Sequence, residues 1–240
     1  MICKSWFQSE VGQSVLRQEQ LELVTALPDC RLSNALQIGM PAASSLLVNV
    51  QSMVRLVLAT DVESDLAGAD LIADPVNLPL DNQSVELVVL HHALETSPNP
   101  HAVLREASRV VSAGGLLVII AFNPWSFAGL WRISQRCKSK QNQLWHSPFI
   151  PAGHIQDWMA VLGFELQSGR WMLYRPPFVN AWSWQKLRFL EIIGDRWWPA
   201  LGGVSLLVAK KQQPGMWYLN DAVPFRRRYR PAFAGPAMKR

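Results

Sequence analysis

The chain lacks any long apolar run. Its longest, LLVIIAF from Leu116 to Phe122, has the length of a strand and falls far short of the ~20 residues that span a bilayer. A membrane-crossing helix is not expected. The first residues, MICKSWFQSEVGQSVLRQEQ, also lack the apolar core of a secretory leader, because Glu10, Arg17 and Glu19 fall where it would sit. The protein is therefore expected in the cytoplasm. Cysteine is scarce, and Cys3, Cys30 and Cys137 are odd in number and without ligand spacing. They fit reduced thiols better than a disulfide framework or a cysteine-held zinc site, and no metal is expected. Acid is scarce in the second half of the chain. Residues 1–121 hold 6 Lys/Arg against 13 Asp/Glu, a net of −7, whereas residues 122–240 hold 17 against 5, a net of +12. Tryptophan is scarce in the first half, where Trp6 stands alone before residue 121 while ten others follow. A basic, Trp-rich half suits an anionic or amphipathic partner, or a small second core with a solvated surface.

What is present reads as an α/β protein. At 240 residues with 49% hydrophobic content, the chain is long enough for one well-buried domain with an added subdomain. Leu16, Gln20, Leu23 and Leu27, with Val24 beside them, recur at helical spacing and predict a leading helix that ends at Pro28. NALQIG, VRLVLATD, ADLIAD and VELVVLHH then read as four strands, the last apolar on both faces as a doubly covered strand should be. Asn99 suits a helix cap, Pro100 its first turn and Gly114 its end, with Val103, Leu104, Ala107, Val110 and Val111 on one face and Arg105, Glu106 and Arg109 outside it. That helix hands over to LLVIIAF, and strand, helix, strand at this length makes a right-handed parallel crossover. Residues 35–122 thus predict an open sheet, whose ligands bind outside the carboxyl ends of the strands.

Past the fifth strand the alternation stops. Residues 123–149 are basic and aromatic and read as an insertion or lid. A helix with Ile155, Trp158, Met159 and Leu162 on one face stops at Gly163. FELQSGRWMLY, WQKLRFLEII and GGVSLLVAKK then read as strand, helix and strand. The tail from Gln212, with RRRYR inside it, has too few apolar residues for a core and is expected to be flexible. The predicted division is a helical lead-in at 1–34, a main domain at 35–211 containing the insertion at 123–150, and a basic tail at 212–240.

The run LPLDNQSVELVVLHHALETSPNPHAVLREASRVVSAGGLLVIIAFNPWSFAGL, from Leu78 to Leu130, resembles the class I S-adenosylmethionine-dependent methyltransferases of the type 11 branch. More narrowly it looks like a proteobacterial set within them, marked by FNPWS after strand five. The resemblance implies a Rossmann-like sheet of about seven strands, mostly parallel with an antiparallel last strand and helices on both faces, and S-adenosyl-L-methionine above strands one to four. It also implies three cofactor elements. In the first loop, LQIGMPAAS, only Gly39 remains of the usual glycines. Met40 and Pro41 follow it, and Pro41 removes a backbone donor. Asp61, 18 residues beyond Ala43, stands where an acid would meet the ribose hydroxyls. Asp74 stands where an acid would accept the adenine amino group. Either acid also reads as a plain turn residue.

After strand four, His91 and His92 occupy positions that face the transferred methyl in related enzymes. Adjacent strand residues face opposite ways, so one of the two is expected to look into the site. His92 is the candidate base or positioning group and His91 a cofactor neighbour. Phe122, Asn123, Trp125 and Phe127 form the expected acceptor wall. The reading is a methyltransferase on a small or lipophilic acceptor. Two alternatives stand beside it. One is a degenerate member of the fold with weak or no cofactor binding. The other is an RNA-binding methyltransferase, whose basic tail meets an anionic surface, membrane or RNA.

Overall fold

In this computed structural model the described residues are 7, 9–27, 31–39, 45–59, 69–126, 129, 149–175, 186, 187 and 189–212. Most of the predicted insertion and nearly all of the predicted tail lie outside them. Seven strands form one sheet in the order β3-β2-β1-β4-β5-β7-β6. They are β1 (Leu32–Gly39), β2 (Ser52–Ala59), β3 (Leu71–Ile72), β4 (Val85–His91), β5 (Val111–Phe122), β6 (Phe164–Met172) and β7 (Val204–Lys211). β1 to β5 pair in parallel, and β7 runs antiparallel between β5 and β6. This is the sheet the sequence predicts. The strand order reverses between β1 and β4, the place at whose carboxyl ends sheets of this kind bind ligands.

Helices cover both faces. α1 (Glu10–Ala26) and a 3-10 turn at Leu46–Asn49 close one side. There Val15, Leu16, Leu23 and Leu47 share one apolar cluster with Leu87, Val89 and Val118 of the central strands and with Val204, Leu206 and Val208 of β7. On the other side, α3 (Pro100–Val110) and α4 (Ala152–Val161) pack Val103, Leu104, Ala107, Ile155 and Met159 against Leu36, Val88, Leu90 and Ile119. A four-residue helix, α2 (Ala93–Thr96), leads from β4 toward α3, and α5 (Phe189–Trp197) precedes a 3-10 turn at Pro199–Leu201. No described helix is long and apolar enough to cross a membrane.

Local chemistry explains the start of α3. Asn99 accepts a hydrogen bond from the Ala102 N–H at 3.1 Å, and Pro100 occupies the first turn where no donor is needed. Its end differs from expectation. The helix stops at Val110, and β5 begins at once with Val111. Gly114, predicted as the helix stop, lies inside the strand at φ 78°. Between the pairs Val85–Val111 and Leu87–Leu116 the register slips, so residues 112–115 bulge from the ladder. α1 buries Leu16 and Leu23 as expected but adds Glu19 and leaves Val24 outside. Val15, Leu16, Glu19 and Leu23 are buried, whereas Val24 is 40% exposed. The apolar stripe thus has a carboxylate in its middle, which the site below explains.

Candidate active site at the carboxyl edge of the sheet

Gly39 ends β1 in register with His91, the last residue of β4. Its φ is 119°, and a Cβ built there would lie 2.1 Å from the His91 carbonyl oxygen and 3.2 Å from the Ala93 Cβ. A side chain therefore fits neither the conformation nor the space. Earlier on the same strand, buried Gln37 accepts a hydrogen bond from the Leu46 N–H at 2.8 Å. The side chain of β1 thereby fixes the start of the 3-10 turn at Leu46–Asn49. Met40 itself lies outside the described residues, as do Asp61 and Phe127.

Asp74 follows β3 at the same edge and is exposed. Its Oδ1 accepts the Val76 N–H at 2.9 Å, and its carbonyl accepts the Asn77 N–H at 2.9 Å. The turn is anchored from behind by α3. Glu106 accepts the Leu78 N–H at 2.8 Å, while Arg109 donates to the carbonyls of Leu78 at 3.0 Å and Leu80 at 2.9 Å and to Asn82 at 2.6 Å. Arg109 and Glu106 also bind each other, at 2.7 Å. These two charged residues clamp the β3–β4 connection, a job their place off the apolar face did not reveal.

His91 and His92 do not diverge. His92 leaves the strand with φ 51° and ψ 20°, a left-handed conformation that ends the alternation and swings its ring to the same side as His91. Both rings meet Glu19 of α1. Nε2 of His91 lies 3.0 Å from Glu19 Oε2, and Nε2 of His92 lies 3.1 Å from Oε1, with all three side chains fully buried. Glu95 approaches from α2, its Oε2 3.6 Å from His92 Nδ1, while its Oε1 accepts the Phe122 N–H. Phe7 covers both rings at 5.9 and 5.7 Å, and Phe122 stacks on His92 at 4.1 Å.

The electrostatics follow from that packing. Burial works to raise the Glu19 carboxyl, but hydrogen bonds from His91 and His92 outweigh it and bring the pKa down to about 2. Burial works to lower His92, yet the charges of Glu95 and Glu19 outweigh it and push the pKa up to about 9. His91 is lowered, because burial there dominates its bond to Glu19. One imidazolium and one neutral imidazole thus share the Glu19 carboxylate. Both His92 nitrogens are turned toward carboxylates. The convergence was missed from sequence because Glu19 lies 72 residues from His91; the one available hint was an acid on the core face of α1.

The expected acceptor wall is only partly assembled. Phe122 is buried and stacks on Phe149 at 5.1 Å. Asn123 is consumed by backbone: its Nδ2 donates to the carbonyls of Ala200 and Gly202 at 2.8 and 2.9 Å, and its Oδ1 accepts the Trp125 N–H at 3.1 Å. Trp125 is 71% exposed. A separate hollow lined by Leu32, Glu86, Ser112, Gly115 and Lys210 opens at the amino edge of the sheet, far from these residues. It lies at the wrong end for a ligand of this fold.

Comparison with known proteins points the same way as the sequence. The protein-family model described as a methyltransferase domain matches residues 35–119, which span β1 to the middle of β5. Over those residues the chain is similar to a methyltransferase domain of the class I, type 11 kind. The uncharacterized protein YafS of Escherichia coli (strain K12) is 34% identical over 141 residues, 58% of this chain and 54% of that protein. The chain spans about half the length of the curated relatives it matches, 54% and 45%. Among solved structures, a methyltransferase from Thermotoga maritima, described as a possible histamine N-methyltransferase, superposes with a TM-score of 0.65 at 17% identity, covering 87% of this chain and 93% of its own. The [4+2]-cyclase SpnF superposes at 0.57 and 14% identity, covering 84% and 82%. At such identities the likeness is one of fold.

Proposed function

We propose that the protein is an S-adenosyl-L-methionine-dependent methyltransferase acting on a small or lipophilic acceptor. The observation that carries this reading is the methyltransferase-domain match over residues 35–119, in which Gly39 ends β1 where the strand order reverses. The glycine lets β1 end hard against β4 at the edge where ligands of such sheets bind. Bound there, S-adenosyl-L-methionine would supply an activated methyl on sulfur. Gly39 and Met40 would flank its methionine half, Asp61 would accept from the ribose and Asp74 from the adenine. His91, with its carbonyl against Gly39, would back the first loop.

The sulfonium is already an excellent leaving group, so the protein's task is alignment and exclusion of water. Phe122 and His92 make a stacked floor, Asn123 fixes the turn that carries Trp125, and Phe127 would join them on the acceptor side. Because both His92 nitrogens are directed at carboxylates, we give it the role of positioning Phe122 and the end of β4, with a base role open only when α1 moves. The lead-in helix at 1–34, the domain at 35–211 and the basic tail at 212–240 are part of the same reading, as are the FNPWS subfamily and a cytoplasmic setting, which the few, scattered cysteines favour. The tail offers charge for an anionic surface, membrane or RNA.

Titration calorimetry with S-adenosylhomocysteine tests the reading, with binding at one equivalent as the expected result. A second reading, a degenerate member that has lost the cofactor, is favoured by Pro41, which removes a donor from the loop. A folded protein that gives no heat with this ligand sinks the first reading and leaves the second. Salt-sensitive retention of RNA by the full chain, absent when residues 222–240 are deleted, would instead favour the RNA-binding alternative.

A further inference from the structure

We propose that Glu19, His91 and His92 form a three-ligand site for one divalent transition cation, with zinc the first choice. The inference is independent of the acceptor and of cofactor binding.

Four observations carry it. Two imidazole nitrogens and a carboxylate, drawn from α1 and the end of β4, converge so that all the candidate donor atoms lie within 4.8 Å of one another, and every one of the three residues is buried. The close pairs, at 3.0 and 3.1 Å, already approach the ~3.0–3.4 Å between neighbouring donors when each bond to zinc is about 2.0–2.2 Å. Next, His92 holds a left-handed backbone that a non-glycine residue rarely adopts, and this turn alone brings its ring beside that of His91. Strain of this kind persists where the surroundings over-determine it, and ligand clamps are among such places. Third, Glu95 stands behind His92, its Oε2 3.6 Å from Nδ1, and is itself anchored by the Phe122 N–H. A carboxylate behind a histidine is the usual support of a metal-bound imidazole, fixing the tautomer that leaves Nε2 free to ligate. Finally, Nδ1 of His92 and Oε2 of Glu95 each lack a hydrogen-bond partner among the described residues, although they face each other. A cation on Nε2 would take the place of the proton there and leave the His92 proton on Nδ1, aimed at Glu95.

Two nitrogens and one carboxylate suit zinc, iron(II) or cobalt(II) better than calcium or magnesium, which favour all-oxygen shells. Since the ligands come from the lead-in helix and from β4, the cation would clamp α1 over the carboxyl edge of the sheet. No covalent bond of the chain is made or broken beyond N–H exchange; the cation displaces the protons that otherwise lie between Nε2 and the carboxylate.

The full chain, purified without chelator, is assayed for metal by mass spectrometry, then stripped and titrated with cobalt(II) while the visible d–d absorption and the melting temperature are followed. The expected results are close to one equivalent of metal, saturation of the cobalt band at one equivalent and a higher melting temperature on reloading with zinc. Glu19→Gln and His91→Gln should abolish the band. Glu95→Gln should weaken affinity by about 10–100-fold, as expected for loss of a supporting carboxylate. His154→Gln, at an exposed histidine, should change nothing. A stripped wild-type protein that gives no cobalt band and the same melting temperature with and without zinc overturns the site, whatever the variants do. So does a band that survives in folded Glu19→Gln, because the metal would then lie elsewhere. In either case the cluster is an ion pair held by protons alone.

Discussion

Gly39 and His91 face each other across the β1–β4 ladder so closely that one methyl group at Gly39 would lie 2.1 Å from the His91 carbonyl oxygen. The same contact joins the first loop to the residue that begins the histidine cluster. Gly39→Ala must therefore move the β1 terminus, strain a positive φ, or both. We expect a loss of about 1–3 kcal/mol in stability, seen as a lower urea midpoint. S-adenosylhomocysteine affinity should fall further than stability alone dictates. A variant with wild-type affinity would separate the cofactor from this loop.

The Glu106–Arg109 clamp makes a prediction in pH. The hydrogen bond from Arg109, opposed by some desolvation and aided by the Leu78 N–H, holds the Glu106 carboxyl below its usual 4.5. A carboxyl depressed in the folded state contributes stability above its unfolded pKa, and that contribution is lost as pH falls through the folded value. Wild type and Glu106→Gln should thus differ in melting temperature near neutral pH by an amount equivalent to about 1 kcal/mol, a modest figure because the pair is partly exposed. The difference should shrink as pH drops below about 4.5 and vanish in stronger acid. A constant difference down to acid pH would mean that the charge of Glu106 is not what clamps the loop.

The parts of this fold that local chemistry governs were legible in the sequence. Asn99 and Pro100 announced α3, the doubly apolar VELVVL announced a central strand, and Gly163 stopped α4. The errors fall where distant residues decide. On the inward face of α1, Leu16 and Leu23 were legible, but Glu19 was missed because its partners are imidazoles 72 and 73 residues away. Alternation placed His91 and His92 on opposite sides, but one left-handed residue cancels alternation, and nothing local in His-His foretells it. Asn123 looked like a wall residue, and only the fold shows that its amide is spent on the turn before β7.

Asp74 offers a graded test of the cofactor side. Its Oδ1 already accepts the Val76 N–H, and the residue is exposed, so a ligand bond to its other oxygen would be partly screened. Asp74→Asn should weaken S-adenosylhomocysteine binding by about 1 kcal/mol, roughly fivefold, while the melting temperature moves little because asparagine keeps an oxygen for the Val76 N–H. Calorimetry on both proteins reads the difference. Equal affinities would take Asp74 out of the adenine site.

Asn123 distinguishes a structural amide from an acceptor contact. Its Nδ2 donates to two carbonyls, Ala200 and Gly202, in a buried corner that joins the end of β5 to the start of β7. Asn123→Ala leaves those carbonyls without their donor and should cost about 1–3 kcal/mol. Asn123→Asp keeps the shape but turns an acceptor toward two acceptors, so it should cost more than the alanine, although it looks the milder change. Urea midpoints of the three proteins at neutral pH give the order, with wild type highest and aspartate lowest. A stable Asn123→Asp that loses only transfer to the acceptor would reverse the assignment and return Asn123 to the acceptor wall.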